Sequence, residues 1–112
     1  MKRYDSLGEF EQSVLLAIVH LGADAYGVTI RREIETRLGR PVVVGALYTA
    51  LDRLETKGYV AASMSAPTPE RGGRAKRHFR VRAAGVGALR QSRETMARMW
   101  QGIDARLLKR EP

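Results

Sequence analysis

Residues 42–58, VVVGALYTALDRLETKG, followed directly by residues 59–66, YVAASMSA, decide how this chain is read. In the first run Val44, Leu47, Leu51 and Leu54 recur every three or four positions. That spacing gathers them on one face of a helix from Val44 to Lys57, with Gly58 suited to its C-terminal turn. At about 100° per residue, Gly45, Thr49, Asp52, Arg53 and Thr56 fall on the opposite side and Tyr48 on the flank. Past Gly58 the period changes. Val60, Ala62 and Met64 alternate with Ala61, Ser63 and Ser65, the pattern of a half-buried strand.

Downstream, PTPERGGR (residues 67–74) carries Pro67, Pro69, Gly72 and Gly73, too many turn formers for the inside of any element. AKRHFRVR (residues 75–82) then resumes alternation with Phe79 and Val81 inward, so the two strands form a hairpin with a long tip. Upstream lie two amphipathic stretches. Ser6 with Glu9 makes a capping-box pattern before the stripe Leu7, Phe10, Val14, Ile18 and Leu21, which Gly22 ends. Tyr26, Ile30, Ile34 and Leu38 form a second stripe, with Arg31, Arg32, Glu33, Glu35 and Arg37 outside it and Gly39 and Pro41 as stops. From Ala83 to Arg110 the chain reads as a last helix, although Gly85, Gly87 and Gly102 each weaken it. Leu89, Met96, Met99, Ile103 and Leu107 give that helix a roughly heptad-spaced apolar edge, with Trp100 beside it. Such an edge calls for a partner.

The expected fold is therefore mainly α with a small β-hairpin (α+β). A winged helix-turn-helix spans residues 5–82 and a C-terminal dimerisation helix spans residues 83–110. With 112 residues the chain suffices for one domain and an appended element.

Charge narrows the function. Lys and Arg number 20 against 12 Asp and Glu, a formal net charge of +8, and such a field attracts polyanions. Arg71, Arg74, Lys76, Arg77, Arg80 and Arg82 cluster in and just after the hairpin tip, with only Glu70 to offset them. Cations on a loop of this kind either meet phosphates or form a solvated charged loop, and their place in this element order favours phosphates. On the third helix Thr49 and Arg53 can donate to base edges or phosphates. Tyr48 either reaches a phosphate with its hydroxyl or packs in the core. Gly45 either lets the backbone approach a phosphate at the helix start or simply enters the helix. Asp52 repels phosphates unless it accepts from a cytosine amino group or pairs with a nearby arginine. Gly45, Tyr48, Thr49, Arg53, Arg71, Arg74, Lys76 and Arg77 are thus the candidate DNA contacts.

Other functions are disfavoured. The absence of cysteine excludes disulfides, thiol catalysis and thiolate metal sites. His20 and His78 lack companions at metal-site spacing, and neither a phosphate-binding loop nor a nucleophile grouping is present, so neither an enzyme nor a cofactor is expected. No apolar run approaches the ~18 residues of a membrane span and the N-terminus lacks a signal-peptide core, which points to the cytoplasm. An RNA-binding module would want exposed aromatics, and aromatics are only 6% of the chain. A winged-helix module that docks an acidic protein stays open, favoured by Asp52 and the small side chains on the outer face of the third helix.

Gly45–Ala46–Leu47–Tyr48, Leu51, Leu54, Glu55 and Gly58–Tyr59–Val60, then Gly72–Gly73–Arg74–Ala75–Lys76–Arg77 and Phe79–Arg80–Val81, resemble the PadR family of bacterial transcriptional regulators. Tyr26–Gly27 and the first helix are similar to that family too, and the likeness covers roughly residues 5–90. The short remainder is similar to the subgroup with a single C-terminal helix. The sequence departs from the family pattern at Val44, Asp52, Phe79 and Ala83, where a hydroxyl residue, a basic residue, Tyr and Thr are usual.

The resemblance implies a homodimer that binds double-stranded DNA and represses nearby genes, often relieved by small phenolic or drug-like molecules. It places helix contacts around Gly45, Tyr48, Thr49 and Arg53 and wing contacts around Arg74, Lys76 and Arg77. The dimer interface then comprises Leu89, Met96, Met99, Trp100, Ile103 and Leu107. In some multidrug-binding relatives an aromatic on the last helix lines a pocket at the dimer centre. Trp100 is accordingly either a stacking surface for a small aromatic effector or an interface anchor.

Overall fold

In a computed structural model the structure describes residues 7–65 and 75–109. Ser6, the hairpin tip with Pro67, Pro69, Glu70, Arg71, Gly72, Gly73 and Arg74, and Arg110 lie outside the described residues. Helix α1 (Glu9–Leu21) buries Val14, Leu15, Ala17 and Ile18. Its start differs from the expected Ser6 and Glu9 pairing. Glu9 is already helical, and the Glu11 carboxylate accepts the Gly8 N–H at 3.0 Å. Glu11 is held there because Lys57 donates to it from 3.1 Å, tying the start of α1 to the end of the third helix.

Gly22, at φ 58°, turns the chain into one 3-10 turn (Gly22–Asp24), and helix α2 (Gly27–Leu38) follows. Tyr26 donates its N–H to Thr29 Oγ1 at 3.0 Å, which closes the α2 N-terminus, and left-handed Gly39 ends the helix. Helix α3 (Val44–Thr56) buries Leu47, Ala50, Leu51 and Leu54. Strands β1 (Val60–Met64) and β2 (Arg77–Val81) pair antiparallel, Val60 opposite Val81 and Ala62 opposite Phe79. A third segment covers the free edge of β2: Phe79 donates its N–H to Ala25 O at 2.9 Å, and Tyr26 bridges to His78.

Three inward assignments fail. Val44 and Leu38 are each 45% exposed and Met64 is 64% exposed. Val44 opens α3, and Val42, just before it, takes the buried place at that end. Burial also fades along β1, so Met64 lies beyond the reach of the core.

The expected single C-terminal helix is two, α4 (Ala83–Trp100) and α5 (Ile103–Lys109). The chain breaks at Gln101, which leaves helical geometry with ψ 123°, and at Gly102, whose φ of 77° suits glycine. The first half of α4 docks through Gly85 and Ala88, whereas every residue from Arg93 to Trp100 is exposed. The molecule is accordingly elongated, 60 × 38 × 22 Å.

Candidate nucleic-acid interface

Helix α3 owes its pose to three leucines. Leu47, Leu51 and Leu54 are essentially sealed, and each contributes roughly 1.5–3 kcal/mol by leaving water. The turn into it, residues 39–43, is fixed by polar bonds at Val42. Glu35 accepts the Val42 N–H at 2.8 Å, and Arg31 Nε donates to the Val42 carbonyl at 3.1 Å. With its inward face and entry both held, α3 has one orientation, and Gly45, Tyr48, Thr49, Asp52, Arg53 and Thr56 all face solvent.

Tyr48 is placed by a glycine. At Gly27, the first residue of α2, a Cβ would lie 2.2 Å from the Tyr48 hydroxyl oxygen and 3.0 Å from Cζ, so the ring lies directly over the glycine. Tyr48 is 44% exposed, which removes the core-packing alternative raised by the sequence. Nothing in the sequence itself signals the pairing of Gly27 with Tyr48.

At the wing, the last described rung is closed twice. Ser65 donates its N–H to the Lys76 carbonyl at 2.8 Å, and the Lys76 N–H donates to Ser65 Oγ at 2.9 Å. Lys76 Nζ stands 4.3 Å from the centre of the Tyr26 ring, a cation–π contact that aims it along the α2 side of the wing. Arg77 turns the other way. It bonds Glu55 of α3, and its Nη1 lies 3.8 Å from Asp52 Oδ1. Asp52 therefore has the arginine partner the sequence allowed for; Glu55 was missed because strand β1 and the hairpin tip separate it in sequence from Arg77. Arg80 and Arg82 are exposed, and Arg71 and Arg74 fall outside the described residues.

The structure thus brings Gly45, Tyr48, Thr49 and Arg53 onto one exposed face with Lys76 on the adjoining wing. Away from this face, Leu89 packs half-buried against the core and Ile103 is half-buried. Met96, Met99, Trp100 and Leu107 are all exposed. Among the described residues no group of three or more His, Asp or Glu could hold a metal ion, and no helix is long and apolar enough to cross a membrane.

Three helices closed by a basic antiparallel hairpin, with the second helix of the helix-turn-helix exposed along one face, define a winged-helix DNA-binding protein. The sequence matches the model of the transcriptional regulator PadR-like family over residues 15–91, and the chain belongs to that family. It is a DNA-binding transcriptional regulator and not an enzyme.

Among solved structures, hsRosR, described as the complex hsRosR-S4, is 26% identical with a TM-score of 0.63 over 88% of this chain and 77% of that one. A PadR family regulator from Eggerthella lenta is 23% identical, with a TM-score of 0.63 over 92% of this chain and 88% of that one. A PadR-like regulator from Bacillus cereus is 16% identical, with a TM-score of 0.68 over 91% and 93% respectively. The last two bear on the fold alone. A comparison with curated proteins gives no match in sequence.

Proposed function

We propose that the chain acts as a homodimeric repressor on a pseudo-palindromic operator. Each copy lays one α3 in the major groove, with half-sites about one DNA turn apart. The observation that carries this reading is the exposed outer face of α3, where Gly45, Tyr48, Thr49 and Arg53 stand clear while the leucines behind them are sealed. Thr49 and Arg53 reach base edges. Tyr48, the α3 start at Gly45, and the wing cations Arg71, Arg74 and Lys76 reach phosphates. The protein-docking alternative loses part of its support, because Asp52 has Arg77 as a neighbour at 3.8 Å.

The exposed edge of α4 and α5, Met96, Met99, Trp100 and Leu107 together with Ile103 and Leu89, supplies the dimer interface, so the C-terminal unit of residues 83–110 serves dimerisation. Trp100, half-exposed, offers an indole face on which a planar aromatic effector stacks to relieve repression.

Mobility shift across a salt series tests the DNA part. A specific site survives competitor DNA, and replacing Arg74 and Lys76 together weakens binding and lowers the salt slope by about 1.8, at roughly 0.9 per phosphate. Equal affinity for all sequences refutes a specific regulator. The chain has 1 tryptophan, so its fluorescence reports Trp100 directly, and the absence of quenching across a panel of planar aromatic compounds removes the effector.

A further inference from the structure

Arg77 stands among the wing cations in sequence, yet its guanidinium is paired with acids of α3. It opens β2, bonds Glu55, approaches Asp52 to 3.8 Å and is backed by the Phe79 ring, whose centre lies 5.0 Å from its Cζ. Asp52 and Glu55 are three residues apart on α3, so both carboxylates present to the same side of the helix and bracket one guanidinium. Two acids facing one base form a local excess of negative charge between the two elements that otherwise present cations.

We propose that Asp52 and Glu55 set how strongly the DNA-contacting surface holds phosphates. They hold Arg77 as a strut between α3 and the wing and withhold its charge from the phosphates that every duplex offers. The inference rests on the reading of α3 and the wing as the DNA-contacting surface. Sequence-independent affinity scales with the cations free to displace counterions, whereas base-edge contacts from Thr49 and Arg53 do not. Withholding one cation therefore lowers the salt-dependent part of the affinity for every duplex, operator and random DNA alike. The arrangement also fixes where the wing leaves α3, because the strut joins the first residue of β2 to the last two turns of that helix.

Side-chain exposures of 41% for Arg77, 39% for Glu55 and 70% for Asp52 show that water reaches all three groups. The strut is thus strong enough to bias Arg77 and weak enough for a phosphate to capture the guanidinium once the acids are neutral.

The test measures binding of the full chain to a random-sequence duplex by fluorescence anisotropy across a salt series. Wild type is compared with R77Q, with the charge-neutral pair D52N/E55Q, and with the triple variant. Circular dichroism checks that each is folded, and E55Q alone stands in should the pair fail to fold. R77Q is expected to leave the salt slope at its wild-type value. D52N/E55Q is expected to steepen it by about 0.9, one added phosphate, and to tighten binding several-fold. In the triple variant that gain should vanish.

A slope already flattened by about 0.9 in R77Q would mean Arg77 rests on DNA from the start and would overturn the proposal. A gain in D52N/E55Q that persists in the triple variant would also overturn it, since simple relief of repulsion would then suffice. A wild-type protein with no salt-dependent binding would instead remove the DNA-binding surface itself, and the strut's role in phosphate affinity with it.

Discussion

Replacing Gly27 by alanine should damage DNA binding while leaving the fold almost untouched. The new methyl carbon would sit 2.2 Å from the Tyr48 hydroxyl oxygen and 3.0 Å from Cζ, against an ordinary non-bonded contact of roughly 3.5 Å. The tip of the ring must therefore withdraw by more than about 1 Å, and it can, because Tyr48 is 44% exposed and its far end is free to swing into water. Gly27 has no positive φ, so alanine is unstrained there, and a helical alanine gains up to about 0.5–1 kcal/mol over glycine. That gain offsets the packing lost at the ring, and stability should stay within about 0.5 kcal/mol of wild type. Binding behaves differently. A hydroxyl donating to a charged phosphate is worth about 1.5–3 kcal/mol, so its displacement weakens binding roughly tenfold or more. Anisotropy with operator DNA, alongside urea unfolding, measures both quantities. Tyr48→Phe supplies the second arm of a double-mutant cycle. If Gly27 acts through the hydroxyl, the double variant binds no worse than the weaker single one. Wild-type affinity in Gly27→Ala, or penalties that simply add, would refute the positioning of Tyr48 by Gly27.

Three further outcomes follow from the packing. Gly85→Ala should destabilise by about 1–2 kcal/mol in urea unfolding despite the better helix former, because its Cβ would stand 2.4 Å from the Tyr59 carbonyl oxygen, and backbone cannot swing aside. Glu11→Gln keeps an acceptor for the Gly8 N–H but loses the charge facing Lys57; a cost of about 1 kcal/mol that shrinks in 1 M salt is expected by thermal unfolding. Met99→Glu combined with Trp100→Ala places a charge on the exposed edge of α4 and removes its largest apolar side chain. Sedimentation should then report a monomer with unchanged helix content, and a dimer of wild-type affinity would show that another surface assembles the protein.

Much of this was legible in the pattern of apolar residues. Leu47, Leu51 and Leu54 marked the buried side of α3, and Gly45, Thr49, Arg53 and Thr56 marked its outer side, because one period controls both. Periodicity does not report where a helix projects past its neighbours, so Val44 and Leu38, at helix ends, were assigned inward and lie half-exposed. Met64 failed for the same reason at the end of a strand. The break between α4 and α5 had its signal in Gly102, but a glycine inside a helical pattern can either remain helical, as Gly85 and Gly87 do, or adopt the positive φ that ends the helix. Of the contacts between distant residues, only an arginine partner for Asp52 was anticipated. Gly27 under Tyr48, Lys57 on Glu11 and Glu55 on Arg77 each join segments whose proximity exists only after the core has formed.

Those distant contacts converge on one region, and this bears on how a dimer could govern DNA binding. Strand β2 is bonded to Ala25 and bridged to Tyr26, Tyr26 is followed by the glycine under Tyr48, and Arg77 of the same strand reaches back to Glu55 of α3. The α2 start, the α3 outer face and the base of the wing are therefore cross-bonded into one unit. One place where the C-terminal helices meet that unit is Gly85 against the Tyr59 carbonyl, which also accepts the Arg82 N–H at 2.8 Å, while Tyr59 donates its own N–H to Leu54 at the end of α3. A shift in the angle of α4 thus arrives at the last turn of α3 through two adjacent backbone bonds. In the homodimeric repressor proposed above, an effector at Trp100 would act by tilting α4 on this seam and moving both copies of α3 as bodies. It need not unfold or rearrange the face that reads DNA, so effector should change half-site spacing preference before it changes base preference.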